Sequence, residues 1–307
     1  MLMNVAAYPK QFEKNINKMY MDAAANYVSE YDKIFKVEQA PAGRYYREAE
    51  LSGLGQLRAI KEGGRVDFDA PVEGHDKQVA FDTIYGLGAQ ITQIAMEDDY
   101  HGKIAQVPKT LAESALNKIE TVAFGVFNNG FTTETAWDGK PLFSDTHTML
   151  NGEVVSNLGS SDLSETSLQA AFEYFWKLKN ESGRPIRVQP DILLVPVELT
   201  WMAARLAQQL GGITTETADL PNMSGNIMTT NPKYGIVPGW KAHVSRFLTD
   251  ADTWFLGSLK DSSLRVMFKS KPKLESADDF ATGSALFKVT TRFRAFAMGY
   301  KAWYGAA

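Results

Sequence analysis

A long amphipathic helix that runs straight into a turn-dense loop constrains this chain more than any other feature. From Lys109 to Phe127 the apolar residues Leu111, Ala115, Ile119, Val122 and Val126 recur at spacings of three and four, and Leu116, Ala123 and Phe127 widen the stripe. Lys109, Glu113, Asn117, Glu120 and Thr121 take the other face. Pro108 suits the first helical turn, where its missing N–H costs nothing, and Asn128-Asn129-Gly130 supplies residues that tolerate a left-handed cap. The following run, Trp137 to His147, has no helical period and is dense in turn formers.

The flanking elements differ in texture. Before the helix, residues 4–40 open with a helical pattern carrying Phe12, Ile16, Met19 and Tyr20, then Ala23, Tyr27, Tyr31 and Phe35. Lys10, Lys14 and Lys18 fall four apart on one side of it, a spacing that suits a solvated face or an arm laid along a neighbour or nucleic acid. From Gly43 to Thr92, Gly-rich breakers punctuate short strand-like runs. Val66-Asp67-Phe68-Asp69 alternates, and Gln78 to Thr92 predicts one long strand kinked at Gly86-Leu87-Gly88. A hairpin with so few large apolar side chains at its tip builds no core of its own. It is an extension that finds its partner elsewhere, or an edge hairpin folded back on its own domain.

After the loop, Asp162 to Asn180 predicts a helix with N-cap candidates in Leu163-Ser164 and Thr166-Ser167 and an apolar stripe of Leu168, Ala171, Phe172, Phe175, Trp176 and Leu178. Ile192 to Pro196 is continuously apolar, the mark of a strand buried on both faces, and Glu198 to Leu210 follows as a helix. Gly211 to Asn231 is expected to be a long polar loop, a length that suits an interface or a mobile segment. Strand patterns return at Gly235 to Phe247, Thr253 to Leu259, Leu264 to Lys271 and Phe287 to Tyr304.

Composition narrows the function. The 307 residues suffice to bury about 75% of the unfolded surface, as one large domain or two smaller ones. The net charge of −4 makes any nucleic-acid contact a local matter. With no cysteine there is no disulfide framework, thiolate metal site or cysteine nucleophile. No apolar run approaches the roughly 18 residues that span a bilayer, and the N-terminus starts no signal pattern, so a soluble, untargeted chain is expected.

Catalytic signatures are missing as well. No P-loop, dinucleotide fingerprint or nucleophile elbow occurs, and Gly53-Leu54-Gly55 lacks the third glycine. Asp138, Asp145 and His147 fall within one loop and could be read as ligands of a metal-dependent hydrolase. Asp138-Gly139 is a common turn pair, however, and no H-x-x-x-H or H-E-x-x-H motif supplies a second imidazole beside His147, so loop hydrogen bonding is the default. Glu97-Asp98-Asp99 with His101 reads as cap and first-turn charge. Arg184, Arg187, Lys269, Lys271 and Lys273 form a set too diffuse for sequence-specific DNA reading. No cofactor, metal or catalytic site is expected.

The helix followed by Asp138-Gly139-Lys140-Pro141-Leu142-Phe143-Ser144-Asp145-Thr146-His147 resembles the middle of the major capsid proteins of tailed bacteriophages, particularly the Mu-like major head subunits. The resemblance implies an α+β fold of the Hong Kong ninety-seven type. It places an N-terminal arm at 1–40 and an extended hairpin loop at 41–95. A peripheral domain with a spine helix takes 96–160 and 276–307, and an axial domain 161–275. It further implies pentamers and hexamers in an icosahedral shell around double-stranded DNA, with a separate scaffold, a portal and decoration proteins as partners and no membrane. Such a subunit is made in the host cytoplasm and resides in the virion. Lys10, Lys14 and Lys18 are then candidates for facing the genome. An encapsulin-type compartment shell is the alternative within the same fold.

Overall fold

The computed structural model describes the backbone of residues 9–92, 106–210, 240–279 and 284–307, with Ala95 and Ile104 between them, and within these the side chains from Ile16 onward except at 208–210 and 278. The chain forms two compact units, the first from 1–46, 79–124 and 265–296, the second from 47–78, 125–264 and 297–307.

The first unit is a four-stranded sheet with two helices on one face. Strands β1 (Lys36–Gln39), β11 (Leu264–Asp279), β12 (Ser284–Ala297) and β4 (Tyr85–Ile91) lie in the order β1-β11-β12-β4. Along β12 the alternation expected from sequence holds. Phe287, Val289, Thr291 and Phe293 are buried while Lys288 and Arg294 are exposed. Helix α1 (Pro9–Asn26) brings Ile16 and Tyr20, and helix α2 (Gln106–Asn128) brings Leu111 and Ala112, onto Phe287 and Val289. Pro108 sits in the first turn of α2, as its missing N–H dictates.

Glu120 departs from the sequence expectation. It is fully buried rather than on the polar face, and its carboxylate accepts the N–H groups of Glu30 (2.7 Å) and Tyr31 (3.0 Å). Those donors open a short turn at Tyr31–Lys33 that α2 thereby holds. Burial drives the Glu120 pKa up to about 7, against the pull of the two donors.

The second unit contains a five-stranded sheet ordered β7-β13-β10-β8-β9, from Leu158–Gly159, Trp303–Ala306, Trp254–Gly257, Ile192–Pro196 and Lys241–Ser245. Strand β8 is buried throughout, as its continuous apolar run requires. Helices α3 (Glu165–Lys177) and α4 (Thr200–Leu210) pack on one face through Phe172, Phe175, Ala203 and Leu206. On α3, Ser164 caps the helix by accepting from Ser167 N–H, and the Ser167 side chain answers at the Ser164 backbone. The other face meets an aromatic cluster in which Phe127 lies 4.9 Å from Trp303 and 5.0 Å from Phe255.

Two sequence expectations fail. Gly130 ends α2 without a positive φ; its lack of a side chain matters because a Cβ there would come within 2.8 Å of the Phe143 ring. The long strand expected from Gln78 to Thr92 is two strands. β3 (Glu73–Ala80) pairs with β2 (Tyr45–Leu51), while β4 joins β12 in unbroken register from Tyr85 to Ile91. The break falls at residues 81–84, where Phe81 is buried and its carbonyl receives Arg292 Nε at 2.7 Å; Gly86 and Gly88 continue the ladder. Between β2 and β3, residues 52–72 hold no strand, so the alternation at Val66–Asp69 is unused. The polar loop at 211–231, the start of the strand expected at 235, and Glu97, Asp98, Asp99 and His101 lie outside the described residues.

Candidate functional site

The loop from Trp137 to His147 is fixed by a dense set of local bonds in the second unit. Asp138 Oδ1 accepts from Lys140 N–H (3.2 Å), and Gly139 takes the left-handed turn with φ +76°. Leu142 N–H donates to the Glu134 carbonyl and Phe143 N–H to that of Gly130. Fully buried Asn157 closes the loop from the other side. It accepts from Ser144 N–H (2.9 Å) and donates to the carbonyls of Leu142 (2.8 Å) and Trp303 (3.1 Å).

Within this frame the structure unites two of the three sequence candidates. His147 Nδ1 lies 2.6 Å from Asp138 Oδ2, its Nε2 lies 3.3 Å from the Leu142 carbonyl, and both side chains are shut off from solvent. The imidazole also stacks on Tyr300 at 3.8 Å with the rings 2° from parallel. Asp145 points to solvent instead. Both ring nitrogens therefore already face acceptors within the loop, and a third ligand does not join them. Among the described residues no three His, Asp or Glu side chains converge to hold a metal.

Two lysines that periodicity did not single out fasten the base of the extended hairpin. On β3, Lys77 donates to Glu134 Oε1 (2.9 Å) and the carbonyls of Ala297 (2.8 Å) and Thr135. At the hairpin's other strand, Lys301 Nζ binds Glu181 Oε1 and lies 3.3 Å from Glu50 Oε1 on β2. Glu181 in turn accepts Leu150 N–H at 2.6 Å. Ser182 Oγ donates to the carbonyls of Ser52 and Gly53, and Ser52 N–H bonds the Val72 carbonyl where the ladder closes.

Two carboxylates share one ammonium here. Burial, with the negative charge of Glu181, pushes Glu50 up to about 7 against the opposing pull of Lys301. The adjacent Tyr300 hydroxyl is raised by burial and by the same carboxylates. A sequence signal for Lys301 existed. A lone cation inside the aromatic run Tyr300-Lys301-Ala302-Trp303-Tyr304 has to be paired when that run is buried.

The remaining candidates are scattered. Lys18 is exposed on α1, whereas the side chains of Lys10 and Lys14 lie outside those described. Lys269, Lys271 and Lys273 share one face of β11 in the first unit, and Arg184 and Arg187 are exposed in the second.

What this geometry organises is the attachment of the hairpin. A firmly clamped hairpin base carries a segment with almost no interior, in which Leu57 and Phe68 are 103% and 98% exposed. Residues 76–306 match the family described as phage capsid protein, and the chain belongs to that family.

Similar solved structures agree on the fold. The capsid of an empty GTA particle is 8% identical with a TM-score of 0.55, covering 92% of this chain and 91% of that one. The mature capsid of bacteriophage PhiM1 is 10% identical at 0.53, covering 91% and 87%. A virus-like particle from Pyrococcus furiosus is 10% identical at 0.51, covering 96% and 98%. No curated protein matches the sequence. The fold is the Hong Kong ninety-seven type, and the protein is a major capsid protein, a structural component of an icosahedral shell. Among the described residues no helix is long and apolar enough to cross a membrane.

Proposed function

We propose that this subunit assembles into pentamers and hexamers that enclose the double-stranded DNA of a tailed phage, and that it belongs with the Mu-like head subunits. The observation that carries the reading is the hairpin segment 52–72, rigid at its base and bare along its length, with Leu57 and Phe68 fully exposed. Isolated, such a segment is an exposed apolar liability; laid over a neighbour, it is an interface. In this reading residues 1–40 are the arm and 41–95 the extended loop. Residues 96–160 with 276–307 form the peripheral domain, and 161–275 the axial domain.

Lys10, Lys14 and Lys18 lie on the genome side, offering weak, salt-dependent phosphate contacts. A separate scaffold, a portal and decoration proteins complete the particle, whose subunits are made in the host cytoplasm. The similarity to a virus-like particle over 96% of this chain favours one second reading, a compartment shell enclosing protein. Nuclease-protected content decides between them. Genome-length DNA in purified particles supports the phage head, and a protein cargo without DNA contradicts it.

A further inference from the structure

We propose that the segment Arg65–Ala70 of one copy adds as a fifth strand to the free edge of β4 in a second copy; this rests on the shell reading above. Two unmatched features fit each other. The segment has the alternation of a strand, with Val66, Phe68 and Ala70 on one side and Asp67 and Asp69 on the other, but it joins no strand among the described residues. Among the described residues strand β4 ends its sheet, so one row of its backbone N–H and C=O groups has no strand partner there.

The two faces of that edge differ in the same way as the two sides of the segment. Leu87 opposes Val289 on the helix-side face. There a groove of about 250 Å³ opens between Tyr85, Leu87, Val289 and the α2 residues Leu111, Ala115 and Lys118. A cavity of about 150 Å³ holds a benzene ring, so this one has room for Phe68. On the opposite face, Gly86 and Gly88 lie across from Thr290 and Lys288, leaving no β4 side chain between an added strand and the lysine. Lys288 and Lys273 both lean on Glu275, so this face keeps an excess of positive charge toward Asp67 and Asp69. Docking gives up only the exposed Asp67–Arg58 pair and the Gly55 N–H bond to Asp69, which are worth little.

The native chain has no cysteine, so introduced thiols report without background. Chains carrying Phe68→Cys and chains carrying Leu87→Cys are co-assembled and treated with a short bismaleimide. Both positions are exposed in the subunit, so folding is retained. The expected result is a covalent dimer that needs both variants together and disappears when the particles are dissociated first. Intact particles without that dimer overturn the proposal while leaving the shell reading in place; no particles from the unmodified chain would count against the shell reading itself. A second variant set uses charge. Asp67→Lys with Asp69→Lys should lower particle yield, and adding Lys288→Glu should restore it. Unchanged yield, or no restoration, contradicts the assigned register.

Discussion

Lys301 holds Glu50 of the hairpin strand at 3.3 Å while binding Glu181 of the main body, so one ammonium ties the extended loop to its unit. Removing a partner from a pair this buried leaves an uncompensated charge, which costs about 3–5 kcal/mol. Lys301→Ala should therefore lower the urea midpoint of the unassembled subunit strongly. Lys301→Ala with Glu181→Gln and Glu50→Gln should recover a large part of the loss. A single variant as stable as the parent would show that the clamp contributes nothing.

The same cluster sets a pH dependence. Glu50 and Glu120 are each raised to about 7 in the folded chain, both chiefly by burial. The folded state thus holds these protons more tightly than the unfolded state, whose glutamates titrate near about 4.3. The stability they add is complete below that value and is lost as pH rises through about 7. Chemical denaturation of the subunit should show a falling midpoint between pH 6 and 8. Glu50→Gln should flatten the slope in part, leaving the share that belongs to Glu120. A parent slope of the opposite sign would contradict both assignments.

His147 acts in the loop as a structural bolt to Asp138, stacked on Tyr300. His147→Ala leaves the buried Asp138 carboxylate without its main donor and opens a void against Tyr300, a loss of about 2 kcal/mol or more. Thermal melting should register it. Metal analysis of purified particles should find no stoichiometric zinc or manganese; one bound ion per subunit would revive a catalytic reading of this loop.

For the arm, four-residue steps advance only about 40° beyond a full turn, which keeps Lys10, Lys14 and Lys18 on one side of α1. Replacing all three with Glu should leave shell formation intact while making DNA-filled particles fewer or less stable. Filled particles with unchanged yield and salt tolerance would remove the arm from genome contact.

Much of the fold was legible because one face of each element is strongly apolar. The stripe of α2, the buried run of β8 and the alternation of β12 survive in the structure almost residue for residue. The hairpin was less legible because its strands are polar on both sides, so periodicity located neither the break at 81–84 nor the loss of strand at 66–69. Glu120 was misplaced because helical period ranks residues by polarity and cannot anticipate a buried cap on another element's N–H groups. Asp138 and His147 were found together as neighbours in one loop. The Lys301 cluster was missed because it joins residues 120 and 251 positions apart.

The hairpin itself offers the most direct measurement. Residues 53–71 can be replaced by a short Gly/Ser turn without touching Glu50, Lys77 or the Ser52–Val72 closure. Electron microscopy of the purified parent chain beside this variant is the decisive comparison. The expected outcome is closed icosahedral shells from the parent, and from the variant a folded, soluble subunit that forms none. Normal shells from the variant, or a parent chain that stays monomeric, would contradict a capsid subunit completed by its neighbours through this loop.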